Sequence, residues 1–94
     1  DNVRAYFDEV AAYLADNSDK VLLTGHTDDE GSDEYNTELG MERAMAFKRS
    51  LVKRGVAEDR IIVESKGRSM PIASNDTEEG RQLNRRVELR LTAE

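Results

Sequence analysis

Thr24-Gly-His-Thr-Asp28-Asp-Glu-Gly-Ser32-Asp-Glu-Tyr-Asn36-Thr-Glu-Leu-Gly40-Met-Glu-Arg43 joins the end of an apolar strand to the start of a long helix. Val21-Leu22-Leu23, just before it, suits a central strand running from Lys20 to Thr27. Gly25 permits close backbone approach, and His26, Thr27 and Asp28 leave the sheet at its carboxyl end, where α/β layouts gather ligands. Gly31 can take a positive φ in the loop. Ser32 or Asp33 is a fitting N-cap, and Asp33 and Glu34 complement the positive helix end. The helix is expected to reach about Arg54, with Leu39, Ala44, Phe47 and Leu51 as its inner stripe and Gly55 as its left-handed stop.

Working outward, residues 2–16 read as an amphipathic helix, because Val3, Phe7, Val10 and Leu14 recur at helical steps. Downstream, residues 60–66 read as a strand that Gly67 and Pro71 break. A short helix over 78–83 and a strand over 85–92 complete the chain. In that strand Val87, Leu89 and Leu91 point one way and Arg86, Glu88 and Arg90 the other, so one face is expected buried and one wet. Three strands with two packed helices make an α+β fold, a two-layer sandwich.

Ninety-four residues form one domain around one modest core, since charged residues are 36% and hydrophobic ones 37%. A net charge of -6 disfavours nucleic acid as a partner. Zero cysteines exclude disulfides, zinc–thiolate sites and cysteine nucleophiles. No apolar run reaches the length of a membrane span, so direct membrane insertion by this domain is not expected.

His26, the single histidine, invites a metal or general-base reading. A structural role, holding the strand-to-loop turn by hydrogen bonds, fits better, since no nucleophile motif or ligand set accompanies it. No catalytic residue, metal ligand or cofactor is therefore expected. The acidic loop also fails the calcium-loop pattern, because Gly31 stands fourth from Asp28 and not sixth. Asp28 and Arg43 could pair as a surface salt bridge worth about 0–1 kcal/mol. They could equally hold the two ends of a zwitterion, carboxylate to ammonium and guanidinium to carboxylate. The residues alone leave both open. Backbone N–H groups near Thr27 to Asp29 would add donors for an anion. Of Arg85 and Arg86, strand alternation lets at most one face a pocket directly.

The blocks GHTDDEGSDEYNTELGMERA and PIASNDTEEGRQLNRRVEL resemble the OmpA-like peptidoglycan-binding domain family, over nearly the whole chain. The resemblance implies a β-α-β-α-β-β sandwich that grips the peptide stem of the cell wall without catalysis. It also implies a periplasmic location, as part of an outer-membrane or envelope-anchored protein. The implied ligand is diaminopimelate or a related diamino acid, with Asp28 and Arg43 as principal ligands. Thr27, Asp29, Asn36, Asn84 and Arg85 would complete the pocket. Two departures stand out. Gly40 replaces the family's usual serine, at roughly 1 kcal/mol in a helix interior, and signals either close packing or looser local order. The chain opens on a helix, so the first strand of the fold is expected to be lacking or trimmed. An edge left uncovered in that way would offer a route to a homodimer. The alternative function is a protein–protein interaction domain that keeps the fold and has lost the ligand.

Overall fold

In the computed structural model, which describes residues 2–92, the central element is β1 (Lys20–His26). It pairs in parallel with β2 (Ile61–Gly67) and antiparallel with β3 (Arg86–Thr92), giving the order β2-β1-β3. The remaining elements are α1 (Asn2–Ala15), α2 (Asp33–Lys53), a 3-10 turn (Glu58–Arg60) and α3 (Glu78–Asn84). α1 begins at Asn2, the first described residue.

Alternation along β1 decides the layers. Val21 and Leu23 are completely buried and pack with Leu14, Ala44, Leu51, Val56 and Ile61 in one core. Phe7 and Phe47 close one side of it, with ring centroids 4.5 Å apart at 67°. Ser32 is the N-cap of α2, its Oγ accepting from the Tyr35 N–H at 3.1 Å. Gly55, at φ 96°, ends the helix as expected. Gly40 is buried against β1, so close packing is the correct reading of that position.

Three local expectations need correction. β2 does not break before Gly67 but runs through it: the register shifts between Gly25 and His26, so His26 faces Gly67, which adopts φ 52°. An irregularity of this kind suits glycine, which takes a left-handed φ at no steric cost. Arg85 belongs to the C-cap of α3 and not to β3. The inward face of β3 is only half covered, with Leu91 38% exposed, because β3 lies at the sheet edge.

The sequence reading also missed the role of Arg60. Its guanidinium donates to the Leu14 carbonyl at 2.8 Å, to the Asp19 carbonyl at 2.8 and 3.0 Å, and to Asn17 Oδ1 at 3.2 Å. It thereby satisfies a carbonyl left open at the end of α1 and ties the α1–β1 turn to the start of β2.

Candidate ligand-binding site

β1 delivers Thr27 and Asp28 to the carboxyl end of the sheet. Thr27 extends the pairing with β2, its N–H donating to the Gly67 carbonyl at 2.9 Å, while its hydroxyl donates to the Asp28 carbonyl at 2.8 Å. Asp28 is 9% exposed. Its Oδ1 accepts from the Glu30 N–H at 3.0 Å, and its Oδ2 from Arg85 Nη1 at 2.7 Å. Burial raises the Asp28 pKa. The Arg85 hydrogen bond, the Glu30 N–H and the charges of Arg85 and Arg43 outweigh that effect and hold it below the ordinary aspartate range. Asp28 is thus a carboxylate at neutral pH.

Arg43 projects from α2 and donates to the His26 carbonyl at 3.1 Å. Asp28 and Arg43 therefore share one end of β1, but the cation hydrogen-bonded to Asp28 is Arg85. Asn36 is 1% exposed in the first turns of α2, and its Nδ2 donates to the Glu30 carbonyl at 2.9 Å. Its buried Oδ1 has no hydrogen-bond partner. Asp29 is exposed, and its carbonyl accepts a long 3.4 Å contact from Arg68.

Asn84 is fully occupied within the protein. Its Oδ1 accepts from the Ile72 and Ala73 N–H groups at 2.8 and 3.1 Å, and its Nδ2 donates to the Ala73 carbonyl and Asn75 Oδ1. It pins α3 to the 72–75 loop. Gly80 lets the same loop approach, since a β-carbon there would stand 1.8 Å from the Ser74 carbonyl oxygen. So anchored, α3 presents Glu78, Arg81 and Arg85 toward the Asp28 loop. Arg85 Nη2 meets Glu78 Oε2 at 2.6 Å, and Arg81 Nε lies 3.2 Å from Glu78 Oε1 and 3.4 Å from Glu30 Oε1. Asp28, Arg85, Glu78, Arg81 and Glu30 form a closed ring, completed by the Glu30 N–H on Asp28. Glu78 and Arg81 escaped the sequence reading. Their spacing to Arg85, seven and four residues, is the signal that sets all three on one helix face.

Arg86 turns to the other side of the sheet, where it meets Glu88 and the Met70 carbonyl. His26 is buried there. Neither ring nitrogen has a hydrogen-bond partner, and Glu88 Oε1 stands 3.5 Å from Nε2. The expected structural role at the turn is carried by the backbone carbonyl of His26, which accepts from Arg43. Beside the site, a cleft of about 760 Å³ lies between α1, α2 and β3, lined by Tyr6, Phe7, Phe47 and Val87 together with Arg43 and Arg85.

A carboxylate and two guanidiniums converge at the carboxyl end of β1. A family model for the OmpA family matches residues 2–85, and the chain belongs to that family, which is non-enzymatic. It is 45% identical over 93 residues to outer membrane porin F of Pseudomonas fluorescens, covering 99% of this chain and 28% of the porin. It is 43% identical over 77 residues to the peptidoglycan-associated lipoprotein of Pseudomonas putida, covering 82% of this chain and 46% of the lipoprotein. The chain thus spans less than half of either relative. Among solved structures, the peptidoglycan-associated lipoprotein of Burkholderia pseudomallei superposes with a TM-score of 0.94 at 33% identity, over 98% of this chain and 79% of that one.

Proposed function

We propose that this domain binds the stem peptide of peptidoglycan noncovalently and so tethers an outer-membrane or envelope protein to the cell wall, in the periplasm. The observation that carries the reading is the convergence of ionised Asp28 with Arg43 and Arg85 at one end of β1, in a chain of the OmpA family. A diamino acid such as diaminopimelate ends in an ammonium and a carboxylate. Asp28 takes the ammonium, and Arg43 takes the carboxylate through its planar fork. Asn36 supports the reading by holding the Glu30 carbonyl, and so the loop that follows Asp28. Thr27 and Asp29 frame the loop, Arg85 flanks the carboxylate of Asp28, and Asn84 acts through the fold of α3.

Calorimetric titration with a soluble diaminopimelate-containing muropeptide tests this, with Arg43→Ala alongside. Saturable binding that the variant loses supports it. No heat at millimolar ligand from folded protein overturns it and favours the interaction-domain alternative.

A second reading concerns self-association. β3 is an edge strand with Leu91 partly exposed, and we propose that two copies pair there. Sedimentation equilibrium tests this: a mass that stays monomeric at high micromolar concentration removes the dimer.

A further inference from the structure

The position of Glu78 carries a consequence for ligand choice. Its two carboxylate oxygens are engaged by Arg85 at 2.6 Å and by Arg81 at 3.2 Å. Arg85 spends one nitrogen, Nη1, on Asp28 and the other, Nη2, on Glu78. The guanidinium is therefore divided between two anions and not committed to one.

The charges around the site then balance. Asp28, Glu30 and Glu78 are set against Arg43, Arg81 and Arg85, and Asp28 keeps lone pairs that neither Arg85 nor the Glu30 N–H occupies. Were Glu78 uncharged, Asp28 and Glu30 would answer the three guanidiniums of Arg43, Arg81 and Arg85, and Asp28 alone would hold Arg85. An ammonium arriving at Asp28 would then compete with a more tightly held Arg85 inside a positive field, whereas a carboxylate arriving at Arg43 would gain.

Resting on the reading in which Asp28 receives an ammonium, we propose that Glu78 is a specificity-determining residue: by sharing Arg85 with Asp28, it keeps the site selective for zwitterionic diamino acids over ligands that offer a carboxylate alone. Glu78 acts through Arg85 and touches no ligand itself. It sits on α3, remote in sequence from Asp28, and α3 is held in position by Asn84 and Gly80.

The test uses two probes, a diaminopimelate-containing muropeptide and the same muropeptide with the side-chain amine acetylated, titrated into the parent domain, Glu78→Gln and Glu78→Asp. In the parent, acetylation is expected to weaken binding about tenfold or more, the scale of one charge-assisted contact. In Glu78→Gln the amine-bearing probe should weaken about tenfold while the acetylated probe holds or tightens, so that the ratio collapses. Glu78→Asp restores the charge and should recover part of the ratio. Equal weakening of both probes in Glu78→Gln would mark a merely structural role and overturn the proposal, as would no change in either. A parent domain that binds neither probe, or both equally, overturns the underlying ammonium reading itself, and is recognised because it occurs without any substitution.

Discussion

Gly25 of β1 and Gly40 of α2 meet backbone to backbone: a β-carbon on Gly25 would stand 1.8 Å from the Gly40 carbonyl oxygen. Neither side can yield without moving an element, because both contacting groups are main chain. A β-carbon on Gly40 would lie 2.3 Å from Ser65 Oγ and 2.9 Å from the Gly25 carbonyl oxygen. The contact sets how closely the helix bearing Asn36 and Arg43 approaches the strand that ends at Asp28. Gly25→Ala is expected to destabilise the domain by about 1–3 kcal/mol or more, as overpacking does. Gly40→Ala gains roughly 1 kcal/mol of helix propensity against its clash and should suffer less. Urea unfolding of both variants checks the order, and an unchanged midpoint for Gly25→Ala would refute the contact.

Asp28→Ala removes one of the two acceptors of Arg85 and, in the proposed function, the partner of the ligand ammonium. Affinity for the muropeptide should fall about tenfold to a hundredfold, equivalent to about 1.5–3 kcal/mol for a charge-assisted contact. Retention of sacculi in a pull-down by a folded Asp28→Ala domain, at the level of the parent, would exclude Asp28 from the site.

Asn84→Ala leaves the Ile72 and Ala73 N–H groups and the Ala73 carbonyl without their partners. A loss of about 1–3 kcal/mol in stability is expected from several hydrogen bonds lost together, each worth about 0.5–1.5 kcal/mol. Asn84→Asp should not rescue it, since a carboxylate cannot donate to the Ala73 carbonyl. Amide exchange at 72 and 73 should accelerate in Asn84→Ala, whereas Asn84→Asp keeps an acceptor for both N–H groups; protection equal to the parent in Asn84→Ala would show the pin to be dispensable.

Arg60→Ala should cost about 1–3 kcal/mol through its hydrogen bonds to the α1 terminus and the following turn. Arg60→Lys keeps the charge but lacks the planar fork, so it should recover little. Full recovery of the thermal midpoint by lysine would show that charge alone matters there.

Acid should act in two stages. Burial, then the nearby Arg86 charge, depress the His26 pKa from its ordinary 6.5, against the opposing pull of Glu88 and Glu64. Below about pH 6.5 the unfolded chain binds a proton that the folded one resists, so this contribution to stability is present above 6.5 and lost as pH falls toward the folded value. The carboxyls of Asp28, Glu78 and Glu88 are also depressed, so their contribution persists to lower pH and is lost only below the ordinary carboxylate range. Stability measured against pH should show the upper limb in the parent and not in His26→Leu. A parent whose stability is flat between pH 6.5 and 5 would contradict the buried neutral imidazole.

Much of this architecture was legible because it rests on local pattern. Alternation in Val21 and Leu23 announced the core strand, Ser32 the helix start, and Gly55 its end. The GHTD block placed Asp28 at the carboxyl end of β1. What escaped depends on where α3 docks. The contacts that dock it, Gly80 on Ser74 and Asn84 on the 72–75 backbone, have no periodic signature. Without them nothing indicates that Arg85, not Arg43, reaches the carboxylate of Asp28, or that Glu78 stands behind Arg85. For His26 the residue type alone did not say which of its atoms holds the turn; the main-chain carbonyl does, by accepting from Arg43.

The position of β1 has a mechanical consequence. Asp28 lies two residues beyond the end of this strand, and both neighbours are hydrogen-bonded to the strand along its length. A pull applied at Asp28 along the strand axis is opposed by two ladders at once, in shear, whereas a pull across an edge strand would open one ladder bond by bond. A domain anchored through this end of β1 meets axial tension in its strongest direction.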